Sequence, residues 1–281
     1  MWRPLTWLGF TVLDHYYHFV AELILGTWAF WNGAFNATVD TETWTSSAPP
    51  VNRAIFAHNP PEGWRDGPGF NPYFLRSAFS SLTVESELDW DDRIFTTMDG
   101  DRAYHLGTVL IADRSAAFKG SRCGSNNQRI AAEAYEPLWE SGRLQKEWWE
   151  PVRREALRFA GVEEKAMGLG VEIEKAWEKE RKKAVRVLPN ALHLQIPIAR
   201  EKAVITYISR QSARRHLIQE HHELLVASLQ ELANRKGYRL IVIEAEKLTK
   251  DEQLGIMAMT TVRKHIRRHS STWLADQARF A

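Results

Sequence analysis

The chain predicts an α/β protein with a parallel sheet in its C-terminal part, and three observations carry that expectation. Ala203–Ser209 (AVITYIS) is a short apolar, β-branched run of the kind buried inside parallel sheets. From Leu217 to Arg235, positions Leu217, His221, Leu224, Leu225, Ser228, Leu229 and Leu232 fall near the helical period, with two polar interruptions. Tyr238–Ala245 (YRLIVIEA) then reads as a second apolar strand. Strand, helix and strand in this order make a βαβ unit, whose strands run parallel and whose crossover is right-handed.

The remaining elements follow in chain order. Residues 10–31 predict a helix on which His15, His18 and Glu22 stand at i, i+3 and i+7, on one face, with Asp14 one turn before His18. A carboxylate-oriented histidine makes a base near neutral pH. Three such ligands on one helix are a weak zinc signature, and a helix with one polar stripe is the plainer alternative. Residues 36–72 are loop-rich, with Pro49-Pro50, Pro60-Pro61 and Gly67-Pro68-Gly69. Arg53–His58 reads as a short strand, Asn71–Phe79 as a helix and Tyr104–Ala112 as a strand. Two Asp-x-Asp tripeptides, Asp89–Asp91 and Asp99–Asp101, stand in an acidic segment where chance explains them. A helix is expected from about Asn127, and another over residues 146–160, with Pro151 suited to its first position. Residues 161–187 alternate Glu with Lys and Arg at i,i+4 spacing, as a solvated helix or linker does. After the βαβ unit, Thr249 and Glu252 have the capping-box spacing and start a helix reaching about Thr261.

Arg210, Arg214 and Arg215 crowd the turn between the first strand and its helix, where the dipole disfavours positive charge. An anion would reconcile them, and the end of a parallel strand before a helix is where such sheets bind phosphates. A solvated basic turn is the plainer reading of these residues alone.

Composition narrows the classes. Net charge is +2, but residues 262–281 hold five basic groups and one acid, so the other 261 residues carry 32 basic and 34 acidic groups. A nearly neutral body excludes nucleic-acid binding by charge. One cysteine, Cys123, excludes an intrachain disulfide framework. Twelve tryptophans lend slight support to carbohydrate contact, although most Trp is packing. One glycosylation sequon, Asn36-Ala37-Thr38, is present. No signal peptide is visible, and Asp14, His15, His18 and Glu22 interrupt the apolar N-terminal stretch, making it a poor membrane span.

Four segments together resemble glycosyltransferase family 61, most of all its fungal members: DHYYHFVAELILGTWAFW at 14–31, IFAHNPPEGWRDGPGFNPYFLRSAF at 55–79, ADRSAAFKGSRCGSNNQR at 112–129, and VITYISRQSARRHL through EAEKLTKDEQLGIMAMTT at 204–261. The resemblance implies a GT-B type of fold: two Rossmann-like lobes, the N-terminal (acceptor-side) lobe at 1–160, a charged linker at 161–199 and the start of a nucleotide-sugar lobe at 200–261. It implies a nucleotide-diphosphate sugar donor, UDP-linked, a glycan or glycoprotein acceptor, and an inverting displacement without a metal or other cofactor. It places such a protein in the Golgi or ER, with a membrane anchor in full-length relatives that this chain does not show. Under this resemblance Ser209, Arg210, Arg214 and Arg215 hold the donor diphosphate. The base falls to His18 first, with His15 and Glu22 next, and Arg114 is a substrate-side candidate. The likeness stops at Thr261, before the strand and Gly-x-His-Gly-type turn expected there. Residues 262–281 then form a basic tail of other composition, from a changed reading frame or retained intron. An incomplete second lobe and impaired transfer are the expectation, and a non-catalytic fragment or pseudoenzyme is the alternative reading.

Overall fold

A computed structural model describes residues 14–57, 59–111, 137–167, 203–212 and 216–263. It is a mixed structure of helices and small sheets, in keeping with the α/β class. The chain divides into two compact units, Met1–Ala156 (with Ala281) and Leu157–Phe280. Residues 10–13, Ala112, the segment at Asn127, the charged stretch from 168 and the tail from 264 lie outside the described residues.

The first unit opens with a π-helical stretch, Tyr17–Ile24, that runs into α1 (Leu25–Ala34). The wide π turns bring Phe19, Val20, Leu23 and Leu25 inward, and all four are buried. Asn36, with φ 45°, ends α1 in the left-handed conformation that Asn tolerates at such a terminus. A short antiparallel hairpin follows, β1 (Val39–Asp40) with β2 (Thr45–Ser46). β3 (Arg53–Ile55), α2 (Phe70–Ala78) and β4 (Thr83–Glu85) form a small βαβ, since β3 and β4 pair in parallel. α3 (Glu87–Thr97) starts on a capping box in which Asp89 Oδ2 accepts from the Ser86 backbone N–H at 2.7 Å. That bond holds the Asp89 carboxyl below its usual range. One Asp-x-Asp tripeptide is therefore a helix cap.

The core of this unit is aromatic. Phe19, Phe56 and Trp64 lie with ring centroids 5.7–6.0 Å apart, and Phe74 stacks on Trp149. Trp28 and Trp31 donate their indole N–H groups to Trp148 O and Pro49 O. These tryptophans are packing residues, not a carbohydrate platform. Trp44 is capped at 3.9 Å by the guanidinium of buried Arg154, which also pairs with Glu150 on α4 (Glu150–Phe159). The expected strand at 104–112 does not form: Tyr104, Leu106, Val109 and Ile111 are exposed in irregular chain. An apolar run without a partnering strand cannot satisfy its backbone.

The second unit holds a parallel three-stranded sheet in the order β6-β5-β7: β5 (Val204–Ser209), β6 (Arg239–Glu244) and β7 (Val262–Arg263). α5 (Gln219–Lys236) joins β5 to β6, and α6 (Lys250–Met259) joins β6 to β7. α5 ends as expected at Gly237 (φ 68°), with Gly237 N–H to Asn234 O and Tyr238 N–H to Ala233 O, a Schellman closure. The inward face of α5 is rotated from the one read in the sequence. Leu229 and Ala233 are buried, whereas His221, Leu224 and Ser228 are exposed. His222 takes the inward place instead, its Nδ1 3.1 Å from Tyr207 Oη on β5.

α6 begins on the expected capping box. Glu252 Oε2 accepts from the Thr249 N–H at 2.8 Å, and Thr249 Oγ1 accepts from the Glu252 N–H at 3.2 Å. The first of these bonds depresses the Glu252 carboxyl. Thr249→Ala is expected to cost the unit about 1 kcal/mol in urea unfolding at neutral pH. Glu252 is charged above its unfolded range, so its share of the cap is present there and is lost as pH falls through the depressed folded value. A cost unchanged between neutral and strongly acidic pH would contradict this account. Among the described residues no helix is long and apolar enough to cross a membrane.

Candidate functional site

Each unit carries one cluster that matches a residue set singled out in the sequence. In the first unit His15 precedes the helix instead of sharing its face, because regular turns begin only beyond it. Its ring nevertheless lies 5.1 Å from that of His18, tilted by 59°. The Tyr17 N–H donates to His15 Nδ1 at 3.2 Å. A neutral His15 therefore carries its proton on Nε2 and presents a donor there. Tyr17 meets the His18 ring edge-on at 5.4 Å. Asp14 is exposed, and among the described residues its carboxylate has no side-chain partner, so the expected orienting contact to His18 is not seen there. The side chain of Glu22 lies outside the described residues, as do Arg114, Arg214 and Arg215.

The loop before α2 closes on this helix start. Asp66 is buried, and its two carboxylate oxygens accept the Phe70 N–H at 3.0 Å and the Asn71 N–H at 2.7 Å. It thereby caps α2 from three residues upstream, across Gly69, which holds φ 74° at the N-cap position. Asn71, fully buried, donates Nδ2–H to Trp64 O at 2.8 Å, and Trp64 packs on Phe19. The Tyr16 ring lies 5.1 Å from Phe70. Burial first, and the Asp66 charge second, push the Tyr16 phenol up to about 12. Neither Tyr16 nor Asp66 stands out from the sequence pattern. Gly67-Pro68-Gly69 reads there only as a turn, although an Asp just upstream of a helix is a capping signal.

In the second unit Ser209 closes β5, buried, and Arg210 follows it, exposed. Beyond Arg210, the Gln211 amide latches the turn to the start of α5. Its Nε2–H donates to Leu217 O at 3.2 Å, and its Oε1 accepts the Leu217 N–H at 3.3 Å. The Ser212 hydroxyl bonds Glu246, just past β6. Among the described residues no side chain caps α5 itself. With β6 and β7 on opposite sides of β5, the β5-to-β6 connection and the β6-to-β7 connection run in opposite directions across the sheet. Crossovers of one hand then place α5 and α6 on opposite faces of the sheet.

Among the described residues no group of three or more His, Cys, Asp or Glu side chains could hold a metal ion. Comparison with protein-family models, with curated proteins and with solved structures finds no match for the chain.

Proposed function

We propose that the chain is a glycosyltransferase-type protein of the family 61 kind, with two Rossmann-like lobes of GT-B type, that takes a UDP-linked sugar and a glycan or glycoprotein acceptor. The observation that carries this reading is the position of Ser209 and Arg210. They stand at the carboxyl end of the central parallel strand, over which the β6-to-β7 connection crosses back in the direction opposite to the β5-to-β6 one, and open parallel sheets bind nucleotide phosphates beside strands where the winding reverses. The N-terminus of α5, without a side-chain cap among the described residues, adds backbone donors and a favourable dipole for the diphosphate. A guanidinium there meets phosphate oxygens in two-pronged fashion, which lysine does not. In the other unit, the His15–His18 pair supplies a base for the attacking acceptor hydroxyl. Preorganised cationic and backbone donors stabilise the departing diphosphate. Such a chain works in the Golgi or ER lumen.

Calorimetry with UDP tests the carrying observation. UDP is expected to bind, and Arg210→Ala to weaken it by roughly tenfold, the effect of one charge-assisted hydrogen bond. Equal affinity of the variant, or no binding by the parent chain, would remove the ground for this reading.

A further inference from the structure

We infer that the outward face of α3 is a docking surface for a basic amphipathic helix of another protein. Not one residue of α3 is buried. Its anchors are polar: the Ser86–Asp89 capping box, the pairing of Arg93 with Glu85, and Tyr104, whose hydroxyl lies 3.1 Å from Thr96 Oγ1 and whose ring centroid lies 5.4 Å from the Arg93 guanidinium. Trp90, Arg93 and Thr97, at i, i+3 and i+7, share the half-buried side. The apolar residues stand on the other side. Leu88 and Phe95, two turns apart, are 61% and 75% exposed, and Met98, at the helix end, is 72% exposed. Exposed apolar side chains scattered singly are ordinary, but these are concentrated. Among the described residues, eight of the sixteen large apolar side chains left exposed fall between Leu88 and Ile111.

Charge selects the partner. Residues 87–101 hold six carboxylates and one cation, Arg93, which Glu85 already engages. Asp89 is spent on the capping box, and Glu87 in the first turn suits the helix dipole. The dipole does not account for Asp91 and Asp92 in the middle of α3, nor for Asp99 beyond its C-terminal end, where a carboxylate is disfavoured. Among the described residues these three carboxylates have no side-chain partner, and all three are exposed. Asp91 and Asp92 each lie one turn from both Leu88 and Phe95. A second copy of this face would set carboxylate against carboxylate across a two-fold axis, and an anionic lipid surface would be repelled in the same way. A helix with an apolar stripe flanked by lysine or arginine meets both features: its stripe covers Leu88 and Phe95 while its cations reach Asp91 and Asp92. α3 is only about 16 Å long at 1.5 Å per residue, so the contact is of the small, transient class.

The test is fluorescence anisotropy on the full chain with a labelled lysine–leucine peptide of about 18 residues, its leucines on one helical face, beside a counterpart carrying glutamate for lysine. The lysine peptide is expected to bind and the glutamate peptide to stay free. Leu88→Ser with Phe95→Ser is expected to weaken binding roughly tenfold or more. Asp91→Asn with Asp92→Asn is expected to weaken it roughly three- to tenfold and to flatten its salt dependence. All four side chains are exposed, so the helix survives these changes, which circular dichroism checks. Leu224→Ser, at an exposed position of α5, is expected to leave binding unchanged. No binding, equal binding of the two peptides, or binding that survives either double substitution overturns the assignment. So does a chain that ignores the lysine peptide while Leu88→Ser with Phe95→Ser abolishes self-association in sedimentation velocity, or binding to phosphatidylserine vesicles. The face would then belong to a second copy or to a lipid surface.

Discussion

Glu85→Ala is expected to destabilise the first unit by about 3 kcal/mol, the lower end of the cost of breaking a buried ion pair. Glu85 is the last residue of β4, and its side chain is only 8% exposed. Its carboxylate is held by Arg53 on β3 and, in two-pronged fashion, by Arg93 on α3. One acid thus joins both strands of the small parallel sheet to the helix that follows. Its loss leaves Arg93, at 18% exposure, without its partner, and that stranded charge is the main cost. Arg53, at 40% exposure, returns to water more easily, so Arg53→Met is expected to cost under about 1 kcal/mol. Urea unfolding followed by tryptophan fluorescence measures both. A Glu85→Ala cost no larger than that of Arg53→Met would show that the trio is not what holds these elements together.

His18→Ala is expected to slow sugar transfer from a UDP-sugar by roughly 10²–10⁴-fold, the contribution of a positioned general base, with UDP affinity unchanged. His15→Ala should cost less, because its Nδ1 is already committed to the Tyr17 N–H. If His18→Ala keeps the parent rate, the base lies elsewhere.

The second unit was legible because its signals are local and agree with one another. β5 and β6 are apolar runs, Thr249 and Glu252 form their box, and Gly237 supplies the left-handed stop. The face of α5 was misread because His222 turns inward to bond Tyr207, a choice that tertiary packing makes and periodicity does not show. In the first unit, β4 escaped notice because Thr83-Val84-Glu85 has no run to detect and exists only through its pairing with β3. The apolar run at 104–111 failed for the opposite reason, having composition and no partner. Of the candidate site, the histidines were visible as residue types. Their i, i+3 spacing anticipated that the two rings lie close, but not that His15 stands ahead of the first regular turn. The setting of Tyr16 was hidden because it comes from the Asp66 loop some fifty residues later.

The strand order β6-β5-β7 also constrains how this unit can be made. β5 emerges first in synthesis, yet both of its hydrogen-bonded edges are supplied by later chain. The Val204 N–H donates to Thr261 Oγ1, 57 residues onward, and Thr206 meets Thr260 across 54. Closing such long loops precedes the contacts that reward it. A nascent chain that has exposed β5 and α5 but not residues 260–263 carries an apolar strand with an open side, a template for pairing with another chain. The vulnerable interval in this protein's life is therefore the time taken to translate α6.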